Sequence, residues 1–195
     1  DCTLGSAGLM RLGAQQAAHH AATRSVFGKP LIEQPLMRAV LADLALETEA
    51  ALALWLRLAS AFDGARHDES EAAFARLATA VGKYYVCKRA PQVIFEAMEC
   101  HGGNGYVEEG PMPRLFRQSP VNAIWEGSGN VICLDVIRAV KRQPSTAAAF
   151  MRELDSSIVA AKVAAERCGL SNSFEQAVAD IHRQLALPAE EMERT

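Results

Sequence analysis

The stretch Ile124-Trp125-Glu126-Gly127-Ser128-Gly129-Asn130 has the residue types for proton chemistry. A carboxylate follows a Trp and precedes two glycines, and an amphipathic pattern from Val131 to Val140 starts at once. Glycine lets a backbone approach a ligand closely and take conformations that other residues avoid. A helix start leaves its first N–H groups unpaired and carries partial positive charge. Glu126, held there beside an indole, is either a base acting on something flat or a plain helix-start acid. The stretch alone leaves both readings open.

Other polar groups are weaker candidates. His101-Gly102-Gly103-Asn104-Gly105-Tyr106 reads either as a helix C-cap with a turn or as a backbone concavity offering N–H groups to a phosphate. Lys83, Lys88 and Arg89 form a small basic group, more readily a solvated face than a phosphate contact. Arg114 and Arg117 lie in a proline-rich stretch, Val107 to Val121, expected to be an ordered loop; they are candidate anion or carboxylate clamps. His19 and His20 are adjacent on a helix, so they point apart and make a poor metal pair. Five cysteines (Cys2, Cys87, Cys100, Cys133, Cys168) are scattered without a C-x-x-C pair. That pattern fits reduced thiols in a cytoplasmic protein and no zinc site.

The elements that position these groups are helical. With 195 residues, 50% hydrophobic and 22% charged, the chain suits one globular domain with a helical appendage. A net charge of −3 gives no general attraction to nucleic acid or anionic membrane. No apolar run is long enough to span a bilayer. Asp1-Cys2-Thr3 is neither a basic start nor a Met start, which suggests a piece of a longer chain.

A first helix is expected over Leu4 to Phe27, with Leu9, Leu12, Gln16, His19 and Thr23 near one face. Its small residues, among them Gly5, Gly8 and Gly13, suggest close approach by another backbone. Phe27-Gly28-Lys29-Pro30 reads as its stop, and Pro35 suits the first turn of the next helix. The second helix carries a stripe of Val40/Leu41, Leu44, Thr48, Ala51/Leu52, Trp55, Leu58 and Phe62, most simply core. A third runs from about Glu69 to His101, with Phe74, Leu77, Val81, Tyr84/Tyr85, Val93/Ile94 and Ala97/Met98 inward. Pro91 should kink or split it. A fourth spans about Asn130 to Arg142. After a break at Gln143-Pro144-Ser145, Thr146 to Arg167 and Ser173 to Leu187 form two more amphipathic helices. Glu190 to Thr195 is expected to fray. No β-alternating segment appears, so the fold class is all-α.

Four motifs now stand in order: Arg24-Ser25-Val26-Phe27-Gly28-Lys29-Pro30-Leu31, Gly102-Gly103-Asn104-Gly105-Tyr106, Arg114-Leu115-Phe116-Arg117, and Ile124 to Asn130. Each alone is weak. Together, with helices between them, they resemble the C-terminal helical domain of the acyl-CoA dehydrogenase family over about residues 3–142. The chain is most similar to the AidB-like, alkylation-response branch, judging from Thr3-Leu4-Gly5-Ser6, Gln34-Pro35-Leu36-Met37 and Ile124 to Asn130. In that branch an extra helical region follows the core.

The resemblance implies an up-and-down four-helix bundle over residues 1–142 and a helical extension over 143–195. It implies FAD bound between subunits of a homotetramer, with Arg24 and Phe27 meeting a neighbouring subunit's cofactor. Leu31 and Gln34 would line the same site, and Gly102 and Gly103 would let backbone approach the dinucleotide. Glu99 stands where much of the family has Gln; an acid repels a pyrophosphate, so a ribose hydroxyl or a nearby Arg is its expected partner. Ser128 replaces the usual Thr and keeps a hydroxyl for the flavin; Asn130 replaces the usual Gln with shorter reach. Trp125 and Gly127 would flank the acyl-CoA thioester.

Glu126 matches the family's common catalytic base. It would take the α-proton of the thioester as the β-hydrogen leaves as hydride to the flavin, giving a 2,3-enoyl-CoA. The thioester carbonyl would be polarised by the Glu126 N–H and a flavin ribityl hydroxyl. Burial beside Trp125 would strip the carboxylate of water and strengthen it as a base. The alternative is a DNA-associated flavoprotein of the alkylation response with weak or no dehydrogenase activity. Residues 144–195 hold five Lys/Arg against eight Asp/Glu, which counts against that role for them and leaves Arg138, Lys141 and Arg142 as its basic groups. By itself the chain is expected neither to retain FAD tightly nor to oxidise acyl-CoA.

Overall fold

A computed structural model describes residues 1–186. The expected helix end at Leu187 and the fraying of Glu190 to Thr195 lie outside the described residues. The chain divides into two compact units, Asp1–Ala147 and a second from Ala148 onward. The fold is all-α, with α1 (Cys2–Thr23), α2 (Pro35–Gly64), α3 (Glu69–Glu99), α4 (Gly103–Tyr106), α5 (Met112–Gln118), α6 (Gly129–Arg142), α7 (Ser145–Arg167) and α8 (Ser171–Ala186). Among the described residues no helix is long and apolar enough to cross a membrane.

Helices α1, α2, α3 and α6 form the bundle. Gly13 of α1 faces Ile94 and Ala97 of α3, and the rings of His20 and His101 stack at the ends of the two helices, so α1 runs with α3. Arg89 of α3 pairs with Glu47 of α2, and Gly82 faces Leu54 and Leu58, so α2 runs against α3. Gly129 lies near Lys88 and Asp135 pairs with Arg76, so α6 also runs against α3. The order is up, down, up, down. The core joins Met10, Leu44, Val86, Val93, Ile94, Met112 and Leu115. Burying each large aliphatic side chain is worth about 2 kcal/mol.

The buried face of α1 is its small-residue face: Thr3, Ser6, Ala7, Met10, Gly13, Ala17 and Ala21. The expected Leu stripe is the less buried one, with Leu12 exposed. The small side chains let α3 come close, which gains dispersion contacts along the seam, and Leu9 still packs against the core from its edge. In α2 the stripe holds at Leu44, Thr48, Ala51 and Leu58, but Phe62 is exposed. Helix α3 starts on an Asp68 cap, whose carboxylate accepts from the Ser70 N–H at 2.7 Å. It continues through Pro91 without splitting. Tyr84 and Tyr85, expected inward, are exposed; Lys83, Val86 and Cys87 take the inward positions.

Two more segments depart from expectation. Helix α1 stops at Thr23, and β1 (Ser25–Val26) and β2 (Lys29–Pro30) form a two-residue-looped hairpin where the helix was expected to run on to Phe27. Phe27 and Gly28 both have positive φ, 51° and 82°, which is the turn that matches strand twist. The proline-rich stretch after Val107 contains α5, because Pro111 and Pro113 sit at its N-terminus, where no N–H is needed.

In the second unit, Gly169 (φ 70°) ends α7, and the Leu170 N–H reaches back to the Ala165 carbonyl at 2.9 Å. That is the helix-ending motif that favours glycine.

Candidate active site

A 3₁₀ turn (Val121–Ala123) leads into the loop that carries Glu126, and α6 follows directly. Glu126 has φ 55° and Gly127 φ 113°. Left-handed backbone in a side-chain-bearing residue costs about 1–2 kcal/mol, so something must hold it. Lys83 does. It is 9% exposed, and its ammonium donates to the Trp125 carbonyl at 3.0 Å and the Gly127 carbonyl at 2.7 Å. Hydrogen bonds from a charged donor are worth about 1.5–3 kcal/mol each, enough to offset the strain.

The side chains around the loop are tied to α1. The Cys2 thiol donates to the Glu126 carboxylate at 3.2 Å. Burial, and then the bond to Glu126, push the Cys2 pKa up, so it stays a thiol and a donor. The Trp125 indole N–H donates to the Asn122 side-chain oxygen at 3.0 Å, and the Asn122 amide donates to the Ser6 hydroxyl at 3.1 Å. Asn122 reaches Ser6 past Gly5, where a Cβ would stand 3.2 Å from the Asn122 amide nitrogen. Glu126 is exposed in this chain, not buried beside Trp125 as expected, and the indole is 54% exposed. Glu126 and Lys83 both border a cleft of about 500 Å³, lined also by Phe62, Thr79, Ala80 and Ile132. The Arg76–Asp135 ion pair, at 2.8 and 2.9 Å, joins α3 to α6 along it. Ser128 precedes α6 without capping it, so its hydroxyl is not spent on the helix. Asn130, in the first turn, is exposed.

The other candidate residues gather at the opposite end of the bundle. Phe27 stands at the hairpin tip and is 97% exposed. Gln34 donates to the Val26 carbonyl at 3.1 Å, and the Leu31 N–H to the Arg24 carbonyl at 2.8 Å, so both brace the hairpin. The Arg24 side chain is exposed. His20 and His101 stack with ring centroids 4.7 Å apart, which brings the end of α1 to the glycine turn after α3. There Gly102 has φ 59°, and both Gly102 and Gly103 face open space. Glu99 beside them is exposed. Gly105 is a packing glycine: a Cβ there would collide with the Met98 carbonyl oxygen. Arg24, Phe27, Leu31, Gln34, Glu99, Gly102 and Gly103 therefore share one end. Trp125, Glu126, Gly127, Ser128 and Asn130 share the other. A 22-residue helix, α1, separates them by ~33 Å.

The basic candidates divide. Lys83 belongs to the Glu126 loop, Arg89 pairs with Glu47 and Gln92, and Lys88 lies over the Tyr84 ring at 5.7 Å. Arg117 forks onto Glu108 at 2.7 and 3.0 Å, so its clamp is filled from within. Arg114 is exposed. Among the described residues no group of three or more His, Cys, Asp or Glu could hold a metal. The sequence reading missed Lys83, Cys2, Asn122 and Ser6 at the site. Lys83 had a signal: it lies three, four and seven residues before Val86, Cys87 and Ala90, on the buried face of α3.

Residues 2–141 match the model of the acyl-CoA dehydrogenase C-terminal domain. The chain is 47% identical over 194 residues to the Escherichia coli (strain K12) protein AidB, covering 100% of this chain and 34% of that protein. It is 33% identical over 153 residues to acyl-CoA dehydrogenase family member 11 of Caenorhabditis elegans, covering 77% of this chain and 25% of that protein. The crystal structure of Caenorhabditis elegans ACDH-11 in complex with C11-CoA superimposes with a TM-score of 0.84 at 28% identity, over 97% of this chain and 32% of that one. The chain thus spans about a third or less of the length of these relatives.

Proposed function

The chain belongs to the acyl-CoA dehydrogenase family, and from that membership we propose that it is the base-bearing C-terminal part of a flavin-dependent acyl-CoA dehydrogenase. The observation that carries this reading is Glu126 itself: a carboxylate on a left-handed loop residue, held from behind by Lys83 and directed at a cleft. Glu126 takes the α-proton of an acyl-CoA thioester. Its own backbone N–H, set by the same loop, donates to the thioester carbonyl and stabilises the charge that develops there. Trp125 and Gly127 flank the thioester, and the indole is kept in one orientation by Asn122. The product is a 2,3-enoyl-CoA.

Family homologues depend on FAD, and the donor set at the hairpin end fits a dinucleotide. Arg24 offers a fork for a pyrophosphate, Phe27 an exposed ring, and Gly102 and Gly103 an open backbone without side chains in the way. Leu31, Gln34 and Glu99 complete that surface; Ser128 and Asn130 serve a flavin at the Glu126 end. When bound, FAD supplies the two-electron acceptor that takes the β-hydride. The ~33 Å between the ends supports assignment of the two surfaces to different flavins, as in a homotetramer with cofactor between subunits. The free cysteines support the cytoplasmic expectation.

In the FAD-loaded full-length protein, Glu126→Gln is expected to abolish acyl-CoA-driven bleaching of the flavin with FAD still bound; unchanged bleaching removes Glu126 from its role. The DNA-associated alternative would show as DNA binding that weakens steeply with added salt.

A further inference from the structure

We infer that Lys83 is a positioning residue for the reaction: its ammonium spans the carbonyls on either side of Glu126 and fixes both the carboxylate and the N–H of that residue. The inference rests on the assignment of Glu126 as base. Lys83 lies on the third helix, more than forty positions from the loop it holds. It is buried on the face of α3 that carries Val86 and Cys87, where an unpaired cation would be costly. Its positive charge also reaches Cys2, the thiol bonded to the Glu126 carboxylate.

The geometry explains why a lysine serves here. The Trp125 and Gly127 carbonyls converge on the one ammonium across a turn in which Glu126 and Gly127 both have positive φ. An ammonium has three donors on one compact head, so a single side chain can take both carbonyls at 3.0 and 2.7 Å. With both carbonyls held, the peptide before Glu126 cannot flip, and its N–H keeps pointing away from Lys83. The same restraint keeps the carboxylate at the cleft. Releasing either carbonyl lets the loop relax toward ordinary backbone angles, which re-aims the acid and the N–H together.

The test uses Lys83→Met, which keeps the stem and removes the donors, and, should Met fail to fold, Lys83→Gln, which removes the charge and shortens the reach while keeping two amide N–H donors. Two readouts are taken. Hydrogen exchange at the Ile124 and Trp125 amides, which donate to the Val121 carbonyl, should rise ~10-fold or more, while Val86 and Ile94 stay protected. In the FAD-loaded full-length protein, kcat should fall ~100-fold while the acyl-CoA KM changes by less than ~threefold, the mark of lost aim and not lost binding. Unchanged loop exchange or an unchanged kcat in Lys83→Met, beside an inactive Glu126→Gln control, overturns the positioning role alone. An active Glu126→Gln control instead overturns the base assignment and the inference with it.

Discussion

Phe27 and Glu126 both have left-handed backbone, and the protein holds them in different ways. Phe27 is held locally. Its neighbours pair as a hairpin, Gly28 shares the turn, and Gln34 reaches back only eight residues to the Val26 carbonyl. Glu126 is held from a distance, by Lys83 on α3, by Cys2 at the start of α1, and through Asn122 by Ser6. A local device presents a side chain outward, and Phe27 is almost fully exposed. A tertiary device sets a functional group against the rest of the bundle. The first suits contact with something outside the chain; the second suits a group that must not move during a reaction.

Disturbing one end should leave the other intact. The largest effect is expected from Gly105→Ala at the hairpin end, where the new methyl meets the Met98 carbonyl. Overpacking against backbone should cost ~3 kcal/mol in chemical denaturation, with loop exchange around Glu126 unchanged below the transition. A smaller change at the same end comes from pH. Burial first, then His101, holds the His20 pKa below its ordinary value of 6.5. A depressed value means the folded state binds fewer protons at that site. The His20 contribution is therefore complete above 6.5 and is lost as pH falls through the folded value. Thermal unfolding across this window should show the loss, and His20→Gln should flatten the dependence. The smallest effect is expected at the Glu126 end from Arg76→Ala. That ion pair is bidentate but Arg76 is 42% exposed, so its removal should cost under ~1 kcal/mol in the same denaturation assay. A larger loss would mean that the Glu126 end depends on this pair as much as on Lys83.

The same contrast explains what could be read from the chain. The hairpin end was legible as a motif because its parts are contiguous: Arg24, Phe27, Leu31 and Gln34 fall within one short segment. Even so, Phe27-Gly28 read as a helix stop, because a two-residue hairpin is too short to leave an alternating pattern. At the other end, Trp125, Glu126 and Gly127 were legible as types. Their supports were not, since Lys83, Cys2 and Ser6 come together only when α1 and α3 pack side by side. Lys83 carried a positional signal on the buried face of α3, but its charge argued for solvent. The starts of α2 and α3 lie at a proline, Pro35, and at a capping carboxylate, Asp68. The small-residue face of α1 prevailed over its leucines because close packing of α1 on α3 is a property of the pair.

The division of labour between the two ends is tested most directly by crossing two variants with two assays in the FAD-loaded full-length protein. FAD retention and the rate of anaerobic flavin bleaching by an acyl-CoA are measured for Glu126→Gln and Arg24→Ala. The expected result is a crossed pattern. Glu126→Gln keeps FAD and loses bleaching, whereas Arg24→Ala loses about 2 kcal/mol of FAD affinity, ~30-fold, and bleaches normally once FAD is saturating. Bleaching at the parent rate in Glu126→Gln would contradict the assignment on which the rest depends.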